Sequence, residues 1–308
     1  MTKPRIVAGL LGVAMLAAMT AQAPARAAAD DAAATYCGLT LGAVTTPGDH
    51  KFQRITATSP VTAAAPAVGP KGLFPVDQVR LAGSLALRPA PPGGWQRSGY
   101  LTIVNDLYAV DYVVDQLTGE LDPDSYRPRR IGGGWTLGYT YFEESRYSEA
   151  NSDFARTNTY ALREGVISRW TVTGLGWRNR ATYQGFSAVK TMALISQTRT
   201  YDTFLASTRG GALYTIRIPL TGPAVVKQVR ASTWQGFDTL IADRCGIQST
   251  LLLGIDKDTR TSYLYAVSHA NGTATVIKGL GKVPATFTDK TYFRYYGDTP
   301  EAAKLYGE

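Results

Sequence analysis

Leu213-Tyr214-Thr215-Ile216 and Leu264-Tyr265-Ala266-Val267 carry nearly the same four-residue pattern, with their tyrosines 51 residues apart. Two related stretches precede them, Leu107-Tyr108-Ala109-Val110 and Thr159-Tyr160-Ala161-Leu162, so the earlier intervals are 52 and 54. A second marker keeps step: Gly94-Trp95, Gly134-Trp135, Gly185-Phe186 and Gly236-Phe237, at intervals of 40, 51 and 51. Two markers in phase near one period, with β-rich sequence between them, predict repeated four-stranded units, the blades of a β-propeller.

Alternation assigns the strands. Residues 100–104, 139–142, 192–195 and 239–242 each follow a Gly-aromatic marker and read as innermost strands, apolar enough to be covered on both faces. The next strands are clearest at 203–206 with 212–216 and at 250–253 with 263–267. Turns fall at Arg209-Gly210-Gly211, at Asp256 to Thr259 and at Asn271-Gly272. Outer strands follow at 225–229 and 274–277, and a terminal helical turn at 300–305. Residues 37–93 are about one period long, with strand-like runs at 39–45, 52–58 and 79–87, a Pro/Ala-rich loop from Pro60 to Pro75 and a second breaker cluster from Pro89 to Gly94. They read as a degenerate fifth unit whose last strand comes from Phe287 to Tyr296. The expectation is an all-β chain forming a single five-bladed propeller, closed by strands from both termini and so without an exposed edge. A pair of β-sandwiches would also give short, regular strands, but does not require the same markers every fifty residues or so.

The ends add an address. Lys3 and Arg5 precede an apolar stretch from Ile6 to Met19 and a small-x-small site at Ala25-Arg26-Ala27, an export signal of bacterial type. Cleavage is expected after Ala27 or Ala29, leaving residues 28–36 as a flexible N-terminus before a domain at 37–308. No later run is apolar and long enough to span a bilayer, so a secreted monomer is expected. The formal charge of +8 includes Lys3, Arg5 and Arg26, so export leaves +5. Arg127, Arg129, Arg130, Arg178 and Arg180 are scattered through loop-like sequence and form no polybasic tract, which argues against nucleic acid.

Cys37 and Cys245 are the only cysteines. Outside the cell such a pair reads as a disulfide, fastening the start of the chain to the last repeat. With only His50 and His269 besides, and no close ligand spacing, no metal site is expected. No cofactor motif is present. Both histidines read as solvated loop residues. Asp256 and Asp258 begin like a calcium loop but lack its later carboxylate and glycine, so they read as a hairpin turn.

No nucleophile elbow, His-Glu-x-x-His helix or phosphate loop occurs. Asp106, Glu143 and Asp243 lie near the ends of three expected innermost strands and could converge on the central funnel as paired glycosidase carboxylates. The plainer alternative pairs each with an arginine such as Arg146 or Arg244, or makes it a turn cap. Aromatics suggest another chemistry, because sugar rings stack on indole while polar neighbours bond their hydroxyls. Trp95, Trp135, Phe186 and Phe237, like the phased tyrosines, read as packing residues. Trp170, Trp177 and Trp234 fall outside that register and read as surface residues of inter-blade connections. With Arg178, Asn179 and Gln235 beside them, they are the candidate ligand-binding set.

Gly133-Gly134-Trp135, Thr159-Tyr160-Ala161-Leu162 and the hairpin from Gly165 to Trp170 resemble the tachylectin-type β-propellers, and the resemblance extends as a pattern over residues 94–283. It implies five blades and lectin sites for N-acetylated amino sugars, one per repeat. The combined expectation is a non-catalytic, secreted binder of an extracellular carbohydrate or cell-wall polymer. The alternatives are a propeller glycosidase or polysaccharide lyase using the funnel carboxylates, and a protein-interaction scaffold.

Overall fold

A computed structural model describes residues 37–149, 152–297 and 299–308; the expected export signal and the segment up to residue 36 lie outside them. The chain enters as β1 (Gly38–Val44), turns into β2 (His50–Thr56), and adds two short strands, β3 (Thr62–Ala63) and β4 (Ala67–Val68), both paired with β2. Next come β5 (Val79–Ala82), β6 (Leu85–Ala90), β7 (Gly94–Ile103), β8 (Asp106–Asp115) and β9 (Arg129–Gly133). β7 pairs with β5, β6 and β8, and β8 pairs with β9.

Three antiparallel sheets of four consecutive strands follow. The first holds β10 (Tyr139–Ser148), β11 (Ala155–Arg163), β12 (Val166–Thr173) and β13 (Gly176–Tyr183). The second holds β14 (Val189–Gln197), β15 (Tyr201–Thr208), β16 (Leu213–Pro219) and β17 (Val225–Arg230). The third holds β18 (Thr239–Cys245), β19 (Ser249–Asp256), β20 (Thr261–Ser268) and β21 (Ile277–Lys282). The last strand, β22 (Thr291–Gly297), runs antiparallel to β1 and parallel to β6, joining the early strands into one ten-stranded sheet. A short helix, α1 (Pro300–Ala303), starts at Thr299, whose Oγ1 accepts from the Ala302 N–H at 3.1 Å.

Composition decides the order within each sheet. β14 and β15 are buried along almost their whole length, whereas β17 exposes most of its residues. The apolar first and second strands take the covered positions and the Lys/Arg-bearing fourth strands take the outside. β10 lies against β5 on one side and β14 on the other; β14 meets β18, β18 meets β1 and β22, and β22 meets β5.

The core is divided among the gaps between neighbouring units. Leu162, Phe186, Met192 and Phe204 fill the gap between the first two four-stranded sheets. Leu205, Phe237, Leu240 and Leu252 fill the next. Leu39, Ile55, Leu251 and Leu253 join the third sheet to β1 and β2. Each such buried side chain contributes about 1.5–3 kcal/mol relative to exposure. The Cys37–Cys245 disulfide is formed and ties the segment before β1 to the end of β18.

The markers are less uniform than their spacing predicts. Trp135, Phe186 and Phe237 immediately precede β10, β14 and β18 and are buried between sheets. Gly94-Trp95 instead starts β7, and β5, not residues 100–104, is the strand that lies against β10. The short interval of 40 marks this shift. Tyr108, Tyr214 and Tyr265 lie on the strands that come third in their units, but Tyr160 lies on β11, the second strand of its sheet. The wider interval between β10 and β11, Ser148 to Ala155 against Gln197 to Tyr201 for β14 and β15, displaces the register there. Asn271-Gly272 opens a single 3-10 turn at Gly272–Ala274, so the outer strand starts later, at Ile277. His50 is not solvated: it begins β2 and is completely buried.

Candidate functional site: an aromatic groove between sheets

β7 and β10 bring together side chains distant in sequence. Phe142 on β10 and Trp135 just before it are buried, and Tyr100 of β7 reaches them from the neighbouring sheet, 6.0 Å from Phe142 between ring centroids. Trp177 of β13 stacks on Phe142 at 6.0 Å with only 3° between the planes. Its ring also meets Tyr100 at 5.5 Å and Trp170 at 5.5 Å. Trp170 and Trp177 are half-buried, so the floor is closed and the upper rings are open to solvent.

A bulge aims these rings. The β12–β13 ladder shifts register between Arg169 and Thr171, leaving Trp170 opposite both Asn179 and Arg180. Asn179 takes a φ of +51°, in the left-handed region that asparagine tolerates better than most residues. The Arg180 guanidinium lies over the Trp170 ring at 5.6 Å and donates to Ser168 Oγ at 3.1 Å. Arg178 and Asn179 are exposed along the rim. Burial, and next the charge of Glu144, push the Tyr100 hydroxyl above its ordinary range, so it is a neutral donor.

Trp170, Trp177, Arg178 and Asn179 are therefore assembled in one place, on strands and not in connections. Trp234 and Gln235 lie elsewhere, between the second and third four-stranded sheets. Trp234 is not at the surface: it is 5% exposed and packs on Tyr265 at 4.9 Å and Phe237 at 5.6 Å. Its nearness to the Phe237 marker is the signal that it belongs to the core. Gln235 is exposed, and its backbone carbonyl accepts from Lys190 Nζ at 2.7 Å. Tyr100 was missed as a site residue because it comes from another sheet.

Asp106 stands apart from the other two carboxylates, whereas Glu143 and Asp243 both lie within reach of the Arg294 charge. Asp106 begins β8, not an innermost strand, and accepts from Arg130 Nη2 at 2.9 Å, a hydrogen bond that holds its pKa below the usual range. Glu143 accepts from the Ser84 N–H at 2.9 Å and from Ser84 Oγ at 3.1 Å. Asp243 accepts from the Arg244 N–H at 2.8 Å and from Arg294 Nη1 at 3.4 Å. Burial raises the pKa of both Glu143 and Asp243, with Arg294 opposing the shift in each. Arg146 pairs with Glu144, not Glu143. The cavity lined by Glu143 and Arg294 is about 20 Å³, room for a water but not for a sugar ring.

No family model and no curated protein sequence matches the chain. Among solved structures, the SapL1 lectin in complex with alpha methyl fucoside aligns at a TM-score of 0.39 and 10% identity, over 82% of this chain and 99% of that one. A mutant of AofleA from Arthrobotrys oligospora aligns at 0.42 and 9%, over 82% and 91%. A Synechocystis apocarotenoid oxygenase mutant aligns at 0.34 and 9%, over 80% and 67%. Similarity at this level carries neither a residue nor a ligand from those proteins to this chain. What stands is an all-β chain with several four-stranded antiparallel sheets, a disulfide and a half-open aromatic groove.

Proposed function

We propose that this chain is a five-bladed propeller that binds an extracellular carbohydrate or wall polymer in the Trp170–Trp177 groove without chemically altering it. The five-blade reading is supported by the cyclic order in which β5, β10, β14, β18 and β22 meet, and by β22 lying between β1 and β6. In this reading the ten-stranded sheet is two blades joined through β22, and residues 37–308 are one domain. The disulfide supports an oxidising, exported setting. Among the described residues no helix is long and apolar enough to cross a membrane.

The observation that carries the binding reading is the pair of half-exposed indoles, Trp170 and Trp177, over a buried floor of Phe142 and Trp135. Such rings offer a stacking face for the apolar side of a pyranose, and Arg178 and Asn179 on the rim offer donors and an acceptor for its hydroxyls. The reading without turnover rests on the carboxylates: Glu143 is engaged by Ser84, Asp243 by Arg294 and Asp106 by Arg130.

A glycan array combined with a reducing-end assay tests this. Retention of a glycan without new reducing ends, lost in Trp177→Ala, is the expected result. Turnover would make the protein an enzyme, and silence in both assays would leave an interaction scaffold.

A further inference from the structure

β2, β4, β6, β7 and β22 surround a second cavity of about 370 Å³, within the range of small-molecule sites. Its wall is largely apolar: Phe52, Leu87, Trp95, Val114 and the Tyr295 ring, with Val68 at the edge. Trp95 and Arg97 are two residues apart on β7 and so share a face. Arg97 also lines the cavity, yet is only 8% exposed.

This guanidinium has few partners. Nη1 donates to the Gly69 carbonyl at 3.0 Å, the charge lies 5.6 Å from the Tyr295 ring centroid, and Nε is buried with no acceptor. No carboxylate among the described residues forms an ion pair with it; the interacting groups are the hydroxyls of Tyr295 and Tyr112. Asp115 lines the same cavity, but its Oδ1 accepts from the Leu117 and Thr118 N–H groups and from Thr118 Oγ1, at 2.8, 2.8 and 3.1 Å. Behind Arg97, His50 is held between the Tyr112 and Tyr295 hydroxyls, with Tyr295 Oη at 2.6 Å from Nε2. Burial, and next the Arg97 charge, keep that imidazole neutral.

An arginine does not discharge by losing its proton, and a buried charge without a counter-charge is costly. We propose that the cavity binds a small organic acid, its carboxylate on Arg97 and its aliphatic or aromatic body against Trp95, Phe52 and Leu87. An anionic head and an apolar tail complement the two halves of the wall. A neutral sugar would leave the charge uncompensated, so this site is separate from the Trp170–Trp177 groove and does not depend on that reading.

The test is isothermal titration of the full chain with sodium benzoate and sodium hexanoate, and with benzamide as an uncharged match for benzoate. Benzoate or hexanoate should bind at neutral pH, with benzamide at least about tenfold weaker than benzoate. Arg97→Gln should lose at least about tenfold in acid affinity. Should that variant fail to fold, Val68→Trp decides the matter. Val68 is 45% exposed, and a larger ring there fills the cavity from its edge while leaving Arg97 in place, so acid binding should disappear. Trp177→Ala should bind the acids like the unaltered chain. Equal affinity for benzoate and benzamide, no acid binding up to about 10 mM, or unchanged binding in Val68→Trp would each overturn the proposal.

Discussion

Arg156 of β11 and Asp202 of β15 form a two-pronged ion pair between neighbouring sheets, Nη1 to Oδ2 at 2.8 Å and Nη2 to Oδ1 at 2.7 Å. Their side chains are 7% and 0% exposed. Asp202 also accepts from Tyr160 Oη at 2.6 Å and Ser145 Oγ at 2.7 Å, while Arg156 donates to the Tyr201 carbonyl at 2.9 Å. Every charge in this contact is answered, which lets it sit in the interior and set how one sheet meets the next.

Removing one side should therefore cost more than removing both. Asp202→Ala should destabilise the chain by about 3–5 kcal/mol, because it strands a buried guanidinium. Replacing both residues, Arg156→Met with Asp202→Leu, should cost clearly less. Urea unfolding of the three proteins measures the difference; equal losses would mean the pair is not buried as a unit.

The Cys37–Cys245 bridge spans 208 residues of chain. Its main effect is to restrict the unfolded state, and Cys37→Ser with Cys245→Ser should lower stability by about 4–5 kcal/mol. Guanidinium unfolding checks this: the double variant and the reduced parent should agree, both about 4–5 kcal/mol less stable than the oxidised parent.

The tryptophans should separate into two kinds. Trp234→Ala empties a buried position between sheets and should cost about 3–5 kcal/mol of stability. Trp177→Ala should weaken glycan retention by about 1–3 kcal/mol, with a smaller loss of stability from the ring stacked on Phe142. Calorimetry alongside array binding distinguishes them. Should Trp234→Ala melt like the parent, its placement in the core is wrong.

His50 supplies a pH dependence. Burial, and next Arg97, hold its folded pKa well below the ordinary value of 6.5, and the groups facing it are Tyr112, Tyr295 and Arg97. Between the folded and unfolded values the unfolded chain binds the extra proton. Stability from this group is thus complete above pH 6.5 and declines on acidification toward the folded pKa. The slope is at most about 1.4 kcal/mol per pH unit. Melting temperature measured from about pH 7.5 to 5 should fall less steeply in His50→Gln than in the parent. An identical slope would mean that His50 is protonated in the folded chain.

The strand rhythm was legible because alternation is a local property: side chains two apart share a face, so runs such as Met192–Ile195 and Leu251–Leu253 announce covered strands without knowledge of their neighbours. The same holds for the aromatic tail that became β22, while the disulfide was legible because the chain has only two cysteines to pair. Trp170 and Trp177 were legible as aromatics outside the packing register, and they lie together with Arg178 and Asn179.

Periodicity could not say which strand of a unit carries a marker. Tyr160 matches its counterparts in spacing but lies one strand earlier, because β11 starts 21 residues after its Gly134 marker whereas β15 starts 16 after Gly185. Nor could local sequence reveal partners across sheets. Gly48-Asp49-His50-Lys51 reads as a polar turn, yet the groups that make burial of His50 tolerable, Tyr112 and Tyr295, are 62 and 245 residues away. Ser84 meets Glu143 across 59 residues, and Arg294 meets Asp243 across 51. The sequence by itself determined where strands form and which faces they bury, since both depend on neighbours along the chain. Only the tertiary structure decided which charges are answered, which tryptophans stay open and that Arg97 meets no carboxylate among the described residues. Those outcomes depend on which sheet lies beside which.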